Sequence, residues 1–297
     1  MIKIGTTTVP LAGWVVDPRQ PEMARAARLR AIRQLIQEYG LSAVELSLDL
    51  GIVYPHVFDA SFYAAVADLQ QELDFACTVH LPFHWLDLSS ANEAVRQASM
   101  ACFRRALDLT RPLNVLTYVA HLWGSTTVQI ISLLEDPIER QAILGAILMQ
   151  AERSLAELGE LLNPAGDLCV ENLEEPSFDL FLPLVERYGA SICLDVGHLA
   201  WQEITALEFL GRHGDRVREL HLHDAVRRSS GDLVQIRDHL ALGQGELDFQ
   251  AIITELEAIG FQGAVILEVS RKADLETSLA AIKGALPIMV THSVPAV

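Results

Sequence analysis

Short apolar runs alternate with longer segments of helical period along this chain, and the alternation occurs eight times. The strand-like runs are IKIGTTTV, SAVELSL, DFACTVH, NVLTYVAH, GDLCVEN, ASICLDV, RVRELHLH and GAVILEV. Between them, apolar residues recur at three- and four-residue spacing, most clearly from Met23 to Tyr39, Phe62 to Leu73, Ala94 to Leu109, Ile138 to Leu162 and Leu275 to Leu286. The pattern therefore predicts eight strands that alternate with helices.

This alternation predicts a parallel sheet, because parallel neighbours need a crossover connection, usually a helix. Eight such units in 297 residues fit a closed (β/α)₈ barrel better than an open doubly wound sheet. An open sheet would usually carry a glycine-rich phosphate loop after its first strand, and GTTTVPLAG is not such a loop. Since no Ser/Gly/Pro-rich linker divides the chain, we predict one barrel over residues 1–290 and a short polar tail at 291–297.

The composition is that of a globular protein, with 51% hydrophobic and 21% charged residues. Acidic residues outnumber basic ones 39 to 22, which gives a formal net charge of −17, and no stretch concentrates the basic residues. Such a charge repels the phosphate backbone, so we do not expect nucleic acid as the partner. We expect no membrane span and no secretory signal. The four cysteines lie far apart without a CxxC pair, which favours buried thiols in a cytoplasmic protein.

The predicted strands end in imidazoles and carboxylates, at the face where a (β/α)₈ barrel places its active site. These residues are His80, His121, Glu171, Asp195, His198, His221, His223 and Glu268, with His239 in the loop after the seventh strand. One such residue alone is usually an ordinary hydrogen-bonded group. A whole series of them converging on one mouth needs a compensating cation. Imidazole and carboxylate without thiolate suit zinc, manganese or iron(II), and we favour zinc.

Three further features of the sequence can be explained without a role in the predicted site. Glu45 interrupts the apolar second strand, so it either belongs to the site or pairs with a base in the core. His84 fits a surface position or one beside the site. The glycines of LGQGELDF fit a tight turn that ends at Asp248, the N-cap of the next helix.

The strand ends VHLP, VENLE, CLDVGHL, HLHD and VILEV, with LGQGELDF after the seventh strand, resemble the xylose-isomerase-like barrel superfamily over the whole chain. That superfamily contains sugar isomerases and epimerases as well as the endonuclease IV family of abasic-site nucleases. The resemblance to the isomerases implies one metal ion, held by Glu171, Asp195, His221 and Glu268.

The resemblance to the nuclease branch implies a multinuclear zinc cluster instead. That branch adds histidines, which here correspond to His80, His121, His198 and His239. It also carries an Asp two residues before the last of these, where this chain has Arg237. The resemblance with this departure implies two metal ions per chain rather than three.

A narrower resemblance is to the cobamide-remodelling phosphodiesterases of the nuclease branch. It rests on GTTTVP, TVHLPFHWLDL, LTRPLNVLTYVAHL, VENLEEPSFDL, CLDVGHL, HLHDAV, RDHLAL and EVSRKADLETSL. It implies hydrolysis of a phosphoester in the nucleotide loop of a cobamide, which releases a cobinamide phosphate and an α-ribazole-type nucleoside. His84 stands where that family carries an acid.

Two functions are compatible with these observations. The first is metal-dependent phosphodiester hydrolysis of a small molecule, with a corrinoid as the expected substrate and with Glu171, Glu268 and His198 as catalytic candidates. Its metal ligands would be His80, His121, Glu171, Asp195, His198, His221, His239 and Glu268. The alternative is a one-metal sugar or sugar-phosphate isomerase or epimerase, in which Glu171 and Glu268 move the proton. The number of bound ions distinguishes the two functions. The chain is also a candidate homo-oligomer.

Overall fold

Eight strands close into a parallel barrel, which confirms the predicted (β/α)₈ architecture. The computed structural model describes residues 2–14, 17–162, 168–173, 177–202, 204–230 and 233–285. The barrel strands are β1 (Lys3–Thr7), β2 (Ala43–Ser47), β3 (Ala76–His80), β4 (Val115–Ala120), β5 (Leu168–Glu171), β6 (Ser191–Asp195), β7 (Val217–Leu222) and β10 (Ala264–Leu267). Around the barrel they follow the order β1-β10-β7-β6-β5-β4-β3-β2, and β2 pairs with β1 to close the ring.

Helices connect the strands, and all five strongly periodic segments form helices close to their predicted ends. The helices are α1 (Val9–Ala12), α2 (Pro21–Gln37), α3 (Asp49–Val53), α4 (Ala60–Leu73), α5 (Glu93–Thr110), α6 (Ser125–Leu133), α7 (Pro137–Leu161), α8 (Leu182–Arg187), α9 (Leu199–Gln202), α10 (Ala206–His213), α11 (Phe249–Ala258) and α12 (Lys272–Ala285). A 3₁₀ turn spans Phe178–Leu180. Asp248 caps α11 as predicted, because its side chain accepts a hydrogen bond from the Ala251 amide. Within the described residues, no helix has the length and apolarity to cross a membrane.

The strands are buried on both sides, as expected of a parallel barrel. The large apolar residues pack between the strands and the surrounding helices. Cys77, Cys169 and Cys193 are buried, Cys102 is half-buried, and no disulfide bond links these four residues. The predicted tail at 291–297 and the end of the last helical pattern at Leu286 lie outside the described residues.

A two-stranded antiparallel sheet, β8 (Asp224–Ser230) and β9 (Leu233–Leu240), follows β7. The predicted loop position of His239 is wrong, because His239 lies in β9. The runs DAVRRSS and LVQIRDHL show no apolar alternation, since much of this hairpin is exposed and one-sided burial is what creates that alternation. Asp224 fixes the base of the hairpin: its carboxylate accepts hydrogen bonds from the amides of Gly243, Gly245 and Leu247.

Candidate metal centre

The carboxyl ends of the barrel strands bring the predicted site residues together at one mouth. They are His80, His121, Glu171, Asp195, His198, His221, His239 and Glu268, linked to one another by contacts of 4.0 Å or less. All but His239 are buried or largely buried, and 41% of the His239 side chain is accessible. The closing of the barrel explains this convergence, because neighbouring parallel strands end at the same edge.

The Nδ1 atom of His221 lies at the centre of three carboxylates. It is 3.4 Å from Oε1 of Glu171, 3.7 Å from Oε2 of Glu268 and 4.0 Å from Oδ2 of Asp195. This nitrogen is buried and has no hydrogen-bond partner. Two ligands that each lie about 2.1 Å from a tetrahedral metal ion are themselves about 3.4 Å apart. An unpartnered buried nitrogen with oxygens at such distances therefore fits a divalent cation.

Glu45 determines which nitrogen of His221 faces this position. Oε2 of Glu45 lies 3.3 Å from Nε2 of His221, and both residues are buried. The carboxylate accepts the Nε2–H, so that the lone pair of the neutral ring is on Nδ1. Glu45, which the sequence left open between site and core, thus lies directly behind a candidate ligand.

His80 and His121 form a second group around Glu171. Their Nε2 atoms lie 3.1 and 2.9 Å from Oε2 of Glu171. Nδ1 of His80 lies 2.9 Å from the carbonyl oxygen of Leu81, which accepts hydrogen bonds only, so this nitrogen carries a proton. Nε2 of His80 and the carboxylate oxygen therefore need either a second proton on the ring or a cation between them.

Protonation of His80 is favoured in the absence of metal. Burial opposes its positive charge, but the hydrogen bond to Glu171 and the charge of that carboxylate outweigh burial and raise the pKa of His80 to about 10. Two opposing effects also act on the pKa of Glu171. Burial raises this pKa, but the neighbouring His121 and His221 outweigh burial and bring it well below its usual range. The two groups are thus charged at neutral pH.

His198 and His223 lie around Asp195. Nδ1 of His198 is 2.9 Å from the carbonyl oxygen of Asn172, and the His198 amide donates to Oδ1 of Asp195 at 2.8 Å across the turn at Gly197. Nε2 of His223 is 3.1 Å from both carboxylate oxygens of Asp195. His223, which ends the predicted seventh strand but is not among the predicted metal ligands, thus contacts a candidate ligand.

His239 approaches the site from the hairpin. Its Nε2 lies 3.3 Å from Oε2 of Glu268, its Nδ1 lies 3.1 Å from Asp238, and its ring stacks on His223 with centroids 4.2 Å apart. Burial opposes protonation, but Asp238 and Glu268 raise the pKa of His239 to about 11. Arg237, at the position of the acid in the nuclease family, is exposed on β9.

Several overlapping groups of these donors have the spacing of metal ligands. Within the described residues, three donor atoms lie within 4.8 Å of one another in the groups His80–His121–Glu171, Glu171–Asp195–His198, Glu171–Cys193–His221, Glu45–His221–Glu268 and His223–His239–Glu268. Glu171 belongs to three of the groups. The donors are mostly nitrogen and oxygen atoms, which is the chemistry that zinc and manganese accept.

The comparisons with known proteins agree with this fold. A family model for the xylose isomerase-like TIM barrel matches residues 4–285. The chain belongs to this family. Two uncharacterised proteins of Methanocaldococcus jannaschii are each 24% identical to it, over 230 residues (75% of this chain and 74% of the relative) and 224 residues (73% and 80%).

Solved structures share the fold at low sequence identity. A D-tagatose 3-epimerase-like protein has a TM-score of 0.73 at 20% identity and covers 97% of this chain and 98% of its own. The 3-keto-D-glucoside 4-epimerase of E. coli has a TM-score of 0.70 at 16% identity, and the match covers 97% of this chain and 100% of the epimerase chain. The IolI protein with a zinc atom has a TM-score of 0.68 at 17% identity, and the match covers 96% of this chain and 98% of the IolI chain. The narrower resemblance to cobamide-remodelling phosphodiesterases stays a prediction.

Proposed function

We propose that this protein is a divalent-metal-dependent isomerase or epimerase of a small sugar-like carbonyl compound. The observation that carries the proposal is the single position around Nδ1 of His221, with oxygens of Glu171, Asp195 and Glu268 at 3.4–4.0 Å. Glu268 follows β10 and Glu171 ends β5, and these strands lie on opposite sides of β7 in the barrel order. Two carboxylates thus reach the position from two sides. The names of the solved epimerases with this fold support the same function.

Each residue has a role that follows from its contacts. His221, Asp195, Glu171 and Glu268 would hold the ion, which when bound polarises a carbonyl group of the substrate. Glu171 and Glu268 both have lowered pKa values, since the neighbouring imidazoles outweigh the effect of burial. Each can therefore accept a proton from the carbon beside the carbonyl group, and the other carboxylate, once it has taken up a proton from solvent, returns one on the opposite face. His80 and His121 contact Oε2 of Glu171 and fix its orientation.

The test is exchange of hydrogen at carbon. The metal-loaded protein is incubated with a panel of ketohexoses in D₂O, and deuterium at the carbon beside the carbonyl group is followed by NMR. We expect exchange with wild type and a loss of at least about 100-fold in Glu268→Gln, since the amide cannot take up the proton. Glu257→Gln, on the exposed side of α11, is the matched control. Absence of exchange with every ketose at full metal loading would contradict the proposal.

The second candidate is phosphodiester hydrolysis of a small molecule, with a corrinoid as the expected substrate. It is favoured by His80, whose Nδ1–H donates to Leu81 while its Nε2 faces the Glu171 carboxylate beside Nε2 of His121. Such a group could hold a second ion that shares Glu171 with the first. The net charge of −17 disfavours DNA but does not disfavour a corrinoid.

Metal stoichiometry distinguishes the two candidates. Elemental analysis is made of wild type and of His121→Ala, and each is assayed with bis(p-nitrophenyl) phosphate. Hydrolysis supports the second candidate if the metal count of the variant falls by one and activity is lost. One ion per chain in both proteins, with no hydrolysis, favours the isomerase.

A further inference from the structure

A series of stacked rings leads from the candidate metal centre to the surface. The ring of Phe83 lies 4.4 Å from that of His121 and 4.1 Å from that of His84, and His84 lies 5.4 Å from Trp85. Planes of successive rings are tilted by 32–44°. We call Phe83, His84 and Trp85 the ring ladder. One end of the ladder touches a residue of the site, and the other end is open to solvent.

The exposed side chain and the backbone conformation of Trp85 are both unfavourable in free energy. Its exposed fraction is 78%, the highest among the chain's four tryptophans, and its φ angle is +61°. A bulky residue in this left-handed region is strained by about 1–3 kcal/mol, and such strain clusters at functional sites. An exposed indole also gives up the stabilisation that burial would provide. The turn closed by the Leu86 amide and the Phe83 carbonyl oxygen at 3.2 Å places the indole in this exposed position.

The buried carboxylate of Asp49 holds two residues of the ladder, Phe83 and His84. Oδ1 of Asp49 accepts hydrogen bonds from the amides of Phe83 and His84 at 3.1 and 2.9 Å, and Nδ1 of His84 lies 3.2 Å from the same oxygen. Asp49 is 4% exposed and belongs to α3, the helix after β2. Hydrogen bonds thus hold the backbone of Phe83 and His84, and the ring of His84 lies against the same carboxylate. Ordering these two residues when a ligand binds costs little conformational entropy.

We propose that the ring ladder is a stacking subsite for a ring of the substrate, here the C–H face of a sugar ring that is linked to the part carrying the reacting carbonyl group. The identity of the ring as a sugar rests on the proposed function, whereas the stacking rests on the ladder alone. Trp85 offers the largest aromatic face, and ring stacking on aromatic side chains is tolerant of the ligand's polar substituents. A glycoside or disaccharide with a ring beside the reacting carbon is then a better substrate than a free open-chain ketose.

Binding of two simple probes tests the subsite without turnover. The zinc-loaded full chain is titrated with methyl β-D-glucopyranoside and, separately, with adenosine, and binding is followed by saturation-transfer NMR and calorimetry. The proteins are wild type, Trp85→Ala, Trp85→Phe and the control Leu133→Ala, which removes an equally exposed side chain of α6 (79%). We expect glucoside binding to weaken about 5–100-fold in Trp85→Ala, less in Trp85→Phe, and not in Leu133→Ala.

Each outcome decides the proposal. Weakened glucoside binding in Trp85→Ala supports the sugar subsite. An effect on adenosine alone overturns the sugar assignment and points to a heteroaromatic ring, as in the substrates of the second candidate function. Absence of binding of both probes at millimolar concentration, or equal binding by wild type and Trp85→Ala, overturns the subsite. Failure of the deuterium-exchange test leaves this result unaffected, because the titration needs no reaction.

Discussion

The carboxylate of Glu45 lies 3.3 Å from Nε2 of His221, across 176 positions of the chain. Because Glu45 accepts a hydrogen bond from that nitrogen, Nδ1 is the ring nitrogen that faces Glu171, Asp195 and Glu268 and can bind an ion among them. A residue of the second strand thus orients a candidate ligand of the seventh. The contact makes Glu45 a positioning residue of the proposed metal site.

Replacing Glu45 by Ala is expected to weaken zinc binding by about 10–100-fold, because His221 loses the partner that holds its ring. The Glu45→Gln variant should lose less zinc affinity, since its amide oxygen can still accept the hydrogen bond from Nε2–H of His221. Competition with a chromophoric chelator measures the affinity, and circular dichroism checks the fold. Glu257→Gln on the surface of α11 serves as the control. Unchanged affinity in Glu45→Ala would contradict the positioning role.

Metal binding is expected to release protons and to weaken as the pH falls. Burial opposes charge on His221, but the negative groups around it, Glu268, Glu171 and Glu45 among them, raise its pKa well above the usual value. This ring is therefore protonated at pH 7 without metal, and an ion that binds Nδ1 must displace the proton. Affinity then falls about tenfold per pH unit for each displaced proton. Calorimetry in two buffers of different ionisation enthalpy measures the release, and a binding heat independent of the buffer would refute it.

The turn at Gly197 leaves no room for a side chain. A Cβ atom there would lie 2.0 Å from Cε1 of His223, whose ring is in contact with Asp195. Gly197→Ala is expected to displace that ring, to destabilise the protein by about 1–3 kcal/mol and to weaken zinc binding. Urea denaturation and chelator competition measure the two effects.

Gly145 in α7 is the matched control, because nothing lies within 4 Å of the Cβ that Ala would add there. Gly145→Ala should stabilise the protein by about 0.5–1 kcal/mol, as Ala does in an exposed helix interior. A Gly197→Ala variant as stable and as tightly metal-binding as wild type would show that His223 has room to move.

Asp224 is expected to hold the hairpin against the barrel. Oδ2 accepts from the amides of Gly243 and Gly245, both at 2.8 Å, and Oδ1 accepts from Leu247 at 3.0 Å. Asp224→Asn turns one acceptor into a donor, so that partly buried N–H groups lose their partner at a cost of about 1–3 kcal/mol. The exposed Asp215→Asn should change stability by less than about 0.5 kcal/mol. Urea denaturation compares the two variants, and equal midpoints would contradict the anchoring role.

The closed barrel and the residues at its mouth were predictable from the sequence, and two features show why others were not. Hydrophobic periodicity is a local signal, so it identified β5 and β6 and with them Glu171 and Asp195 as strand ends. The hairpin β8–β9 gave no such signal because it is largely exposed. His239 was therefore recognised as a site residue but assigned to the wrong type of element.

The sequence by itself determined the order of strands and helices and the kinds of side chain at each strand end, because both follow from patterns within a few residues. Only the tertiary structure decided that Asp195 is in register with His221 and that Glu45 holds Nε2 of that ring. It also decided that Nδ1, with no hydrogen-bond partner of its own, faces the carboxylates. These contacts join residues far apart in the chain, and they exist because closing the barrel brings the ends of distant strands to one mouth.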